Sequence, residues 1–392
     1  MSAEVISLGC RLNLAESERM RAMLASENDL VVINSCAVTN EALRQTRQAI
    51  RKARRKRPEA RLLVTGCAAE TEREMLRDMP EVDGLVANAA KLDARQWNVP
   101  SQAEATASRE RYSRGFVQVQ NGCDHACTFC VIPTGRGPSH SLGIEEVCDE
   151  IARHCDRGVA EIVLTGVDLT SWGTDLPGAP GLGSLVEAIL RRMPDLPRLR
   201  LSSIDGAEVD ARLFELIAHE PRVMPHIHLS LQSGDDMILK RMKRRHSRAD
   251  AIALVEGLRE HRPELAIGAD LIAGFPTETE AMHRNSVDLV HELKIVHGHI
   301  FPYSARSHTP AARMPQVDPA TIKRRARELR EAVALERNRW LASLVGEPLL
   351  VLAERGGIGH SPGFAPVRVP HDLAPGELVS VVPERVIDGV LL

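Results

Sequence analysis

Phe116-Val-Gln-Val-Gln-Asn-Gly-Cys-Asp-His-Ala-Cys-Thr-Phe-Cys130 is the stretch that decides the fold. It opens as a strand, Phe116–Gln120, and runs straight into Cys123, Cys127 and Cys130. Three cysteines at C-x3-C-x2-C just past a strand read as a ligand loop at the carboxyl edge of a sheet. From this loop the chain can be read outward in both directions.

Downstream, short apolar runs recur at Glu161–Thr165, Leu199–Ser203, His226–Leu231, Ala266–Leu271 and His297–Phe301. Helical periods fill the gaps at Ile144–Cys155, Leu182–Arg192, Asp210–Ala218 and Arg248–His261. Six β/α units over 114–345 predict a partial (β/α)6 TIM-type barrel with its chemistry at the strand C-termini. The long basic helix Pro319–Leu344 follows them. Upstream, strands at Glu4–Leu8, Leu30–Asn34, Leu62–Thr65 and Val82–Ala87 alternate with helices at Leu12–Ser26, Asn40–Arg57 and Glu70–Met79. This predicts an N-terminal Rossmann-like parallel-sheet domain over 1–98, with Asn40 as a helix cap. The polar stretch 99–113 reads as a linker. Residues 346–392, with short β-like runs between Gly and Pro, read as a small C-terminal β domain. The fold class is α/β.

The 392 residues carry a formal net charge of −3, so a footprint on nucleic acid has to be local. With 3% aromatics, the core is left to Leu, Val, Ile and Ala. The N-terminus lacks the basic start and apolar run of a signal peptide, and no 18-residue apolar run exists, so a cytoplasmic location without a membrane span is expected. Eight cysteines in a reducing compartment point to metal binding or burial rather than disulfides.

Thiolates of Cys123, Cys127 and Cys130 can ligate three irons of a 4Fe–4S cube and leave the fourth open. An open iron can chelate S-adenosylmethionine, whose reductive cleavage yields a 5′-deoxyadenosyl radical. The other reading of the loop is zinc, with His125 as a fourth ligand, or plain burial. Cys148 and Cys155 lie on the apolar stripe Ile144, Val147, Cys148, Ile151, Ala152, Cys155 and read as core packing.

The segment Val119–Gly137 resembles the radical site of the tRNA and ribosomal methylthiotransferases. That family carries three further cysteines in an N-terminal domain. Matching settings stand here in Ser7-Leu-Gly-Cys10-Arg-Leu-Asn13, Asn34-Ser-Cys36-Ala-Val-Thr39 and Thr65-Gly-Cys67-Ala-Ala. Each follows a predicted strand, and the C-terminal ends of parallel strands share one edge. Buried structural cysteines are the alternative for this set. The resemblance implies two 4Fe–4S clusters, one on Cys10, Cys36 and Cys67 and one on Cys123, Cys127 and Cys130. It extends to Glu161–Gly173, His228–Gly234, Asp270–Glu278 and Phe301–Arg306, the strand ends expected to bind S-adenosylmethionine. Gly166 would let the cofactor approach the backbone, Gln232 would hydrogen-bond it, and Phe129 would pack near its adenine.

What the resemblance implies is methylthiolation of tRNA. One S-adenosylmethionine donates its methyl to sulfur at the auxiliary cluster, and the other is cleaved to activate carbon 2 of an adenine. A flavodoxin or ferredoxin would supply low-potential electrons. Ser7–Asn13 with Glu16-Ser17, and Leu164–Thr170, resemble the branch acting on threonylcarbamoyladenosine. Isopentenyladenosine in tRNA and an aspartate of a ribosomal protein are the other targets known in the family. A non-enzymatic iron–sulfur or zinc RNA-binding protein is the reading from another class. Two basic clusters suit phosphate contacts: Arg44, Arg47, Arg51, Lys52, Arg54, Arg55, Lys56 and Arg57, and Lys323, Arg324, Arg325, Arg327 and Arg330. Against this, the C-terminal stretch resembles the family's small RNA-binding β domain but is short, acidic and holds one aromatic, Phe364.

Overall fold

The computed structural model describes residues 3–97, 113–306 and 308–392. The chain divides into two compact units that do not follow chain order. One comprises Met1–Glu110, Asn121–His140 and Ser304–Pro310, and the other Arg111–Gln120, Ser141–Tyr303 and Ala311–Leu392. The linker expected over 99–113 lies, except for Ser113, outside the described residues.

In the first unit, β1 (Glu4–Ser7), β2 (Leu30–Ser35), β3 (Arg61–Gly66) and β4 (Gly84–Leu85) form one parallel sheet in that order. Alternation along the strands gives it two apolar faces. Val31, Ile33, Leu62 and Val64 pack with Leu43, Ile50 and Ala53 of α2 (Asn40–Lys56). Leu30, Val32 and Leu63 pack with Met20 of α1 (Arg11–Met23), Leu24 and Trp97. This is the expected Rossmann-like layering. Thr39, and not Asn40, caps α2, because its extended backbone lets Oγ1 accept from the Ala42 N–H at 3.1 Å. Asn40 Oδ1 is instead taken by Arg306 at 3.0 Å. The helix expected over Glu70–Met79 is two short ones, α3 (Cys67–Thr71) and α4 (Arg73–Arg77), because Glu72 leaves helical dihedrals between them. Its carboxylate accepts from Arg306 at 2.5 Å. The fourth strand keeps only Gly84 and Leu85 of the expected Val82–Ala87.

The two-residue strands β6 (Gln120–Asn121) and β7 (His140–Ser141) bracket the cysteine segment in sequence, which also holds α5 (Ile132–Arg136). In the second unit, β5 (Arg114–Gln118), β8 (Glu161–Thr165) and β9 (Arg198–Leu201) pair in parallel. So do β10 (Ser203–Ile204), β11 (His226–Gln232), β12 (Ala266–Ala273) and β13 (Ile295–Pro302). The expected strand Leu199–Ser203 is interrupted at Ser202, which splits the ladder into a three- and a four-stranded sheet. Helices α6 (Ile144–Cys155), α7 (Leu182–Arg192), α8 (Ala211–His219), α9 (Asp236–Met242), α10 (Arg248–His261) and α11 (Glu280–Glu292) fill the connections. Six parallel strands therefore run in chain order, as a (β/α)6 series requires. One core joins Val117, Ile162, Leu164, Leu199, Ile227, Leu229, Ile267 and Leu271 with the helices.

The N-terminal strand ends of this unit are plugged by its last segment. After α12 (Pro319–Ser343), strands β14 (Leu349–Ala353), β15 (Ile358–His360), β16 (Pro366–Arg368), β17 (Leu378–Val381), β18 (Val386–Ile387) and β19 (Val390–Leu391) form one sheet. Arg198 donates to Leu350 O, and Arg114 bridges Glu161 and Glu354, at 2.6 Å each. Phe364 stacks on His360 at 4.5 Å and lies under the guanidinium groups of Arg200 and Arg114, at 4.9 and 5.0 Å. Burial raises the Glu161 pKa, but Arg200, Arg114 and Arg198 outweigh it and hold the carboxyl down at about 2. The single aromatic of the C-terminal segment is thus spent on packing. Among the described residues, no helix is long and apolar enough to cross a membrane.

Candidate cluster sites

All six cysteines of the two expected sets belong to the first unit. Cys10 is the N-cap of α1, Cys36 is the residue after β2, and Cys67 opens α3 directly after β3. Each therefore stands just past a strand's C-terminal end. Glycines let these segments approach. A Cβ on Gly9 (φ +89°) would sit 2.7 Å from Cys36 Sγ, and one on Gly66 (φ +88°) 2.4 Å from Ser35 O. Cys10 is exposed, while Cys36 and Cys67 are buried. The three thiols lie close enough to act on one another electrostatically: Cys10 and Cys67 both disfavour the Cys36 thiolate. As a free thiol Cys36 is pushed up to about 11, chiefly by burial, against the pull of the Val38 N–H and Arg136. Cys67 is also raised by burial, with Arg136 and Lys91 opposing.

The loop of Cys123, Cys127 and Cys130 is closed at its neck. The Cys123 N–H donates to Gly137 O at 3.2 Å, and Gly122 (φ +72°) leaves no room for a Cβ against Pro138 O. Inside it the Cys130 N–H donates to Cys127 O at 3.2 Å, and the Ile132 N–H points at Cys130 Sγ, 3.4 Å away. All three thiols are half-buried, as is Phe129. Helix α5 leaves the loop and packs on the other cysteine set. Gly135 is so near Cys67 that an added Cβ would stand 3.3 Å from Cys67 Cβ. Asn88 Nδ2 donates to Gly135 O at 2.6 Å.

A buried ionic network accompanies this contact. Glu16 accepts from Lys91 Nζ at 2.5 Å and from both terminal nitrogens of Arg136, at 3.0 and 3.2 Å. All three side chains are at most 2% exposed. Arg136 also donates to Asn13 Oδ1 at 2.5 Å and Asn121 Oδ1 at 2.8 Å. Asn34 donates to Asn13 O and to Ser17 Oγ. Burial raises the Glu16 pKa, but Lys91 and Arg136 pull it below the usual carboxylate range. Burial, with the Arg136 charge, pulls Lys91 down, against Glu16. The pair is ionised, because Arg136 keeps its charge and holds Glu16 as the anion. One carboxylate and two cations leave one positive charge to balance. The neighbouring thiolates supply negative charge, so a cluster held by Cys10, Cys36 and Cys67 fits these surroundings. Asn13, Glu16 and Arg136 stand in the motifs quoted from the sequence, but nothing in the sequence marks Lys91 or Asn88.

In the second unit, Gly166 and Gln232 stand at the C-terminal ends of β8 and β11. The space beside Gly166 is taken by Gln120, whose Oε1 would be 3.0 Å from an added Cβ. That same oxygen accepts the N–H groups of Val167 and Asp168 at 3.0 and 2.9 Å, so packing alone already accounts for the glycine. Gln232 ends its strand with φ +68°, unusual for a side chain of this size, and is half-buried. Cys148 is buried in the main core and Cys155 packs against it, as their helix stripe implies.

The basic clusters divide. On α12, Arg324 pairs with Glu280 and Glu328, Arg325 with Glu278 and Glu280, Arg327 with Glu331, and Arg330 donates to Ile300 O. Most of that charge is spent inside the unit. On α2, Arg54 and Arg57 bind backbone carbonyls, Arg44 pairs with Glu41, and Arg51 and Lys56 pair with Glu81 and Glu4. Arg47, Lys52 and Arg55 stay exposed without an ion pair among the described residues.

A parallel six-strand series and a C-x3-C-x2-C loop define the radical S-adenosylmethionine class. The family model described as Radical SAM superfamily matches residues 117–290, and that described as Uncharacterized protein family UPF0004 matches residues 2–87. Over 391 residues the chain is 44% identical to the threonylcarbamoyladenosine tRNA methylthiotransferase MtaB of Rickettsia prowazekii (strain Madrid E), covering 96% of this chain and 93% of that one. It is 34% identical to the protein of the same name from Chlamydia pneumoniae, over 98% and 95% of the two chains. It is 32% identical to the tRNA-2-methylthio-N(6)-dimethylallyladenosine synthase of Erythrobacter litoralis (strain HTCC2594), over 96% and 93%. Among solved structures, the radical S-adenosylmethionine methyltransferase TsrM of Kitasatospora setae matches with TM-score 0.53 at 16% identity, over 76% of this chain and 66% of that one, a likeness of fold. The chain belongs to the radical S-adenosylmethionine methylthiotransferase family.

Proposed function

We propose that this protein converts N6-threonylcarbamoyladenosine in tRNA to its 2-methylthio derivative. The observation that carries the reading is the full-length 44% identity to a relative of that name, joined to two cysteine triads on one compact unit. Cys123, Cys127 and Cys130 would hold the S-adenosylmethionine-cleaving 4Fe–4S cluster, and Cys10, Cys36 and Cys67 the auxiliary one. When bound, these groups supply the one-electron chemistry and the sulfur needed at an unactivated C–H bond. The protein's part is to hold and tune them. The Ile132 N–H is aimed at the Cys130 sulfur, and Arg136 and Lys91 favour thiolate at Cys67. Phe129, Gly166 and Gln232 are the S-adenosylmethionine contacts of this reading. The partners are tRNA and a low-potential flavodoxin or ferredoxin, in the cytoplasm.

The test is paired. Anaerobically reconstituted protein should hold about eight irons, and about four after either triad is changed to alanine. Changing Cys10, Cys36 and Cys67 should leave reductive cleavage of S-adenosylmethionine to 5′-deoxyadenosine but abolish methylthiolated tRNA. Changing Cys127 alone should abolish both. Normal tRNA product from the N-terminal variant sinks the two-cluster reading. A methylthio mark found on isopentenyladenosine by nucleoside mass spectrometry replaces the substrate and keeps the chemistry.

A further inference from the structure

The inner face of the second unit's four-stranded sheet carries a polar constellation that the cluster chemistry does not use. Strand register sets Asp270 of β12 opposite His299 of β13, and His228 of β11 opposite Gly268. The His228 ring lies over Gly268, where a Cβ would meet Nδ1 at 2.4 Å, so only glycine admits it. His228 Nε2 and His299 Nδ1 reach the same oxygen of Asp270, at 3.0 and 3.1 Å. That is two N–H donors on one carboxylate acceptor, which fixes both rings. His228 is buried, yet His299 is 63% exposed, because β13 ends the hydrogen-bonded order of its sheet. Its Nε2 makes no hydrogen bond among the described residues. Phe301, the next residue on this face, is an exposed aromatic with its ring 6.4 Å from that of His299.

We infer that His299, oriented by Asp270, recognises the amino-acid arm on N6 of the target adenosine, with Phe301 as the surface on which the base rests. This rests on the substrate reading above. With Nδ1 committed to Asp270, the His299 ring leaves Nε2 as its hydrogen-bonding atom toward a ligand. A threonylcarbamoyl arm carries a hydroxyl and a carboxylate that can bond there, whereas a dimethylallyl arm has no polar atom and leaves that nitrogen unmet. The lengths agree. Chemistry on such folds sits at the strand C-termini, and His299 lies three residues, about 10 Å, below the end of β13. The imidazole stands across the strand and adds no reach along it. A base resting on Phe301, one residue from that end, leaves two residues, about 7 Å, for the arm, which runs roughly five bonds and about 6 Å from N6 to its hydroxyl. Specificity between relatives that share both cluster motifs would then depend on a side chain outside either cysteine set.

The experiment measures affinity on reconstituted holoenzyme by fluorescence anisotropy. The probes are anticodon stem-loops carrying threonylcarbamoyladenosine, isopentenyladenosine or unmodified adenosine. The wild type should prefer the first, and His299→Leu should lose roughly three- to tenfold of that preference, with affinity for the unmodified loop unchanged. His299→Gln, which keeps an acceptor, should retain part of it. Phe301→Ala should weaken all three loops together. Because His299 is exposed on an edge strand, the leucine variant should fold, which circular dichroism checks. If the wild type prefers the threonylcarbamoyl loop and His299→Leu keeps the whole preference, the inference is overturned and the substrate reading stands. If the wild type shows no such preference, both fall.

Discussion

Glu16→Gln is the perturbation that best probes the network joining the two cysteine segments. Glutamine keeps the shape and removes the charge. Arg136 retains Asn13 at 2.5 Å and Asn121 at 2.8 Å, so it stays well bonded. Lys91 keeps a neutral amide oxygen and Asn34 Oδ1 at 3.4 Å but no counter-charge, in a setting where it is 2% exposed. Removing one partner of a buried ion pair costs about 3–5 kcal/mol, and the bonds kept by Arg136 put this case near 3. For a unit of this size that is roughly a 10 °C fall in melting temperature. The assay is thermal and urea unfolding of reduced, cluster-free protein, which separates the ionic term from iron binding. Glu187→Gln is the control. Its pair with Arg212 is as short, 2.6 Å, but both side chains are about half exposed, so it should cost under about 1 kcal/mol. A Glu16→Gln loss no larger than that of the control would refute the buried-network argument.

Three further outcomes follow from particular contacts. His297 accepts from Arg337 at Nδ1 and donates Nε2–H to Gly363 O, so it is held neutral, and burial pushes its pKa down to about 3. Unfolded, it takes a proton near pH 6.5, so its contribution is complete above that pH and is lost as pH falls toward 3. Stability should therefore drop by up to about 1.4 kcal/mol per pH unit from this group, and His297→Gln should flatten the slope in acid titrations followed by circular dichroism. Phe364→Ala should destabilise by about 3 kcal/mol in urea unfolding while the folded variant binds tRNA as before; a selective loss of tRNA affinity would restore the aromatic to RNA stacking. Replacing Arg47, Lys52 and Arg55 by alanine should weaken tRNA binding and lower its salt slope by about 2, whereas Arg324→Ala with Arg327→Ala should leave the slope unchanged.

The sequence made the cysteine positions legible because each is tied to a strand end, and strand starts are marked by β-branched runs such as Leu30–Ile33. Helices α6, α7 and α10 keep the bounds that their apolar stripes imply. What stayed hidden is what depends on distant pairing. Lys91 meets Glu16 across 75 residues, and no local period marks it. The basic run of α12 reads as a phosphate surface until Glu278 and Glu280, over forty residues upstream, neutralise it. Phe364 reads as a lone aromatic because its partners, Arg114, Arg200 and His226, come from three different strands. The packing of Gly166 against Gln120, over forty residues upstream, is likewise unmarked by any local pattern.

The first unit is assembled from three separated stretches, the last of them Ser304–Pro310. A ribosome finishes the N-terminal stretch at residue 110 and delivers the final piece some 200 residues later. At about 5–20 residues per second, that is a delay of roughly 10 to 40 seconds. Throughout it Cys10, Cys36 and Cys67 wait without Arg306 to bridge Asn40 and Glu72, and for the early part without α5 over Cys67. The segments made first thus acquire their last packing partners late, and the first unit is completed only once the strands of the second have been translated.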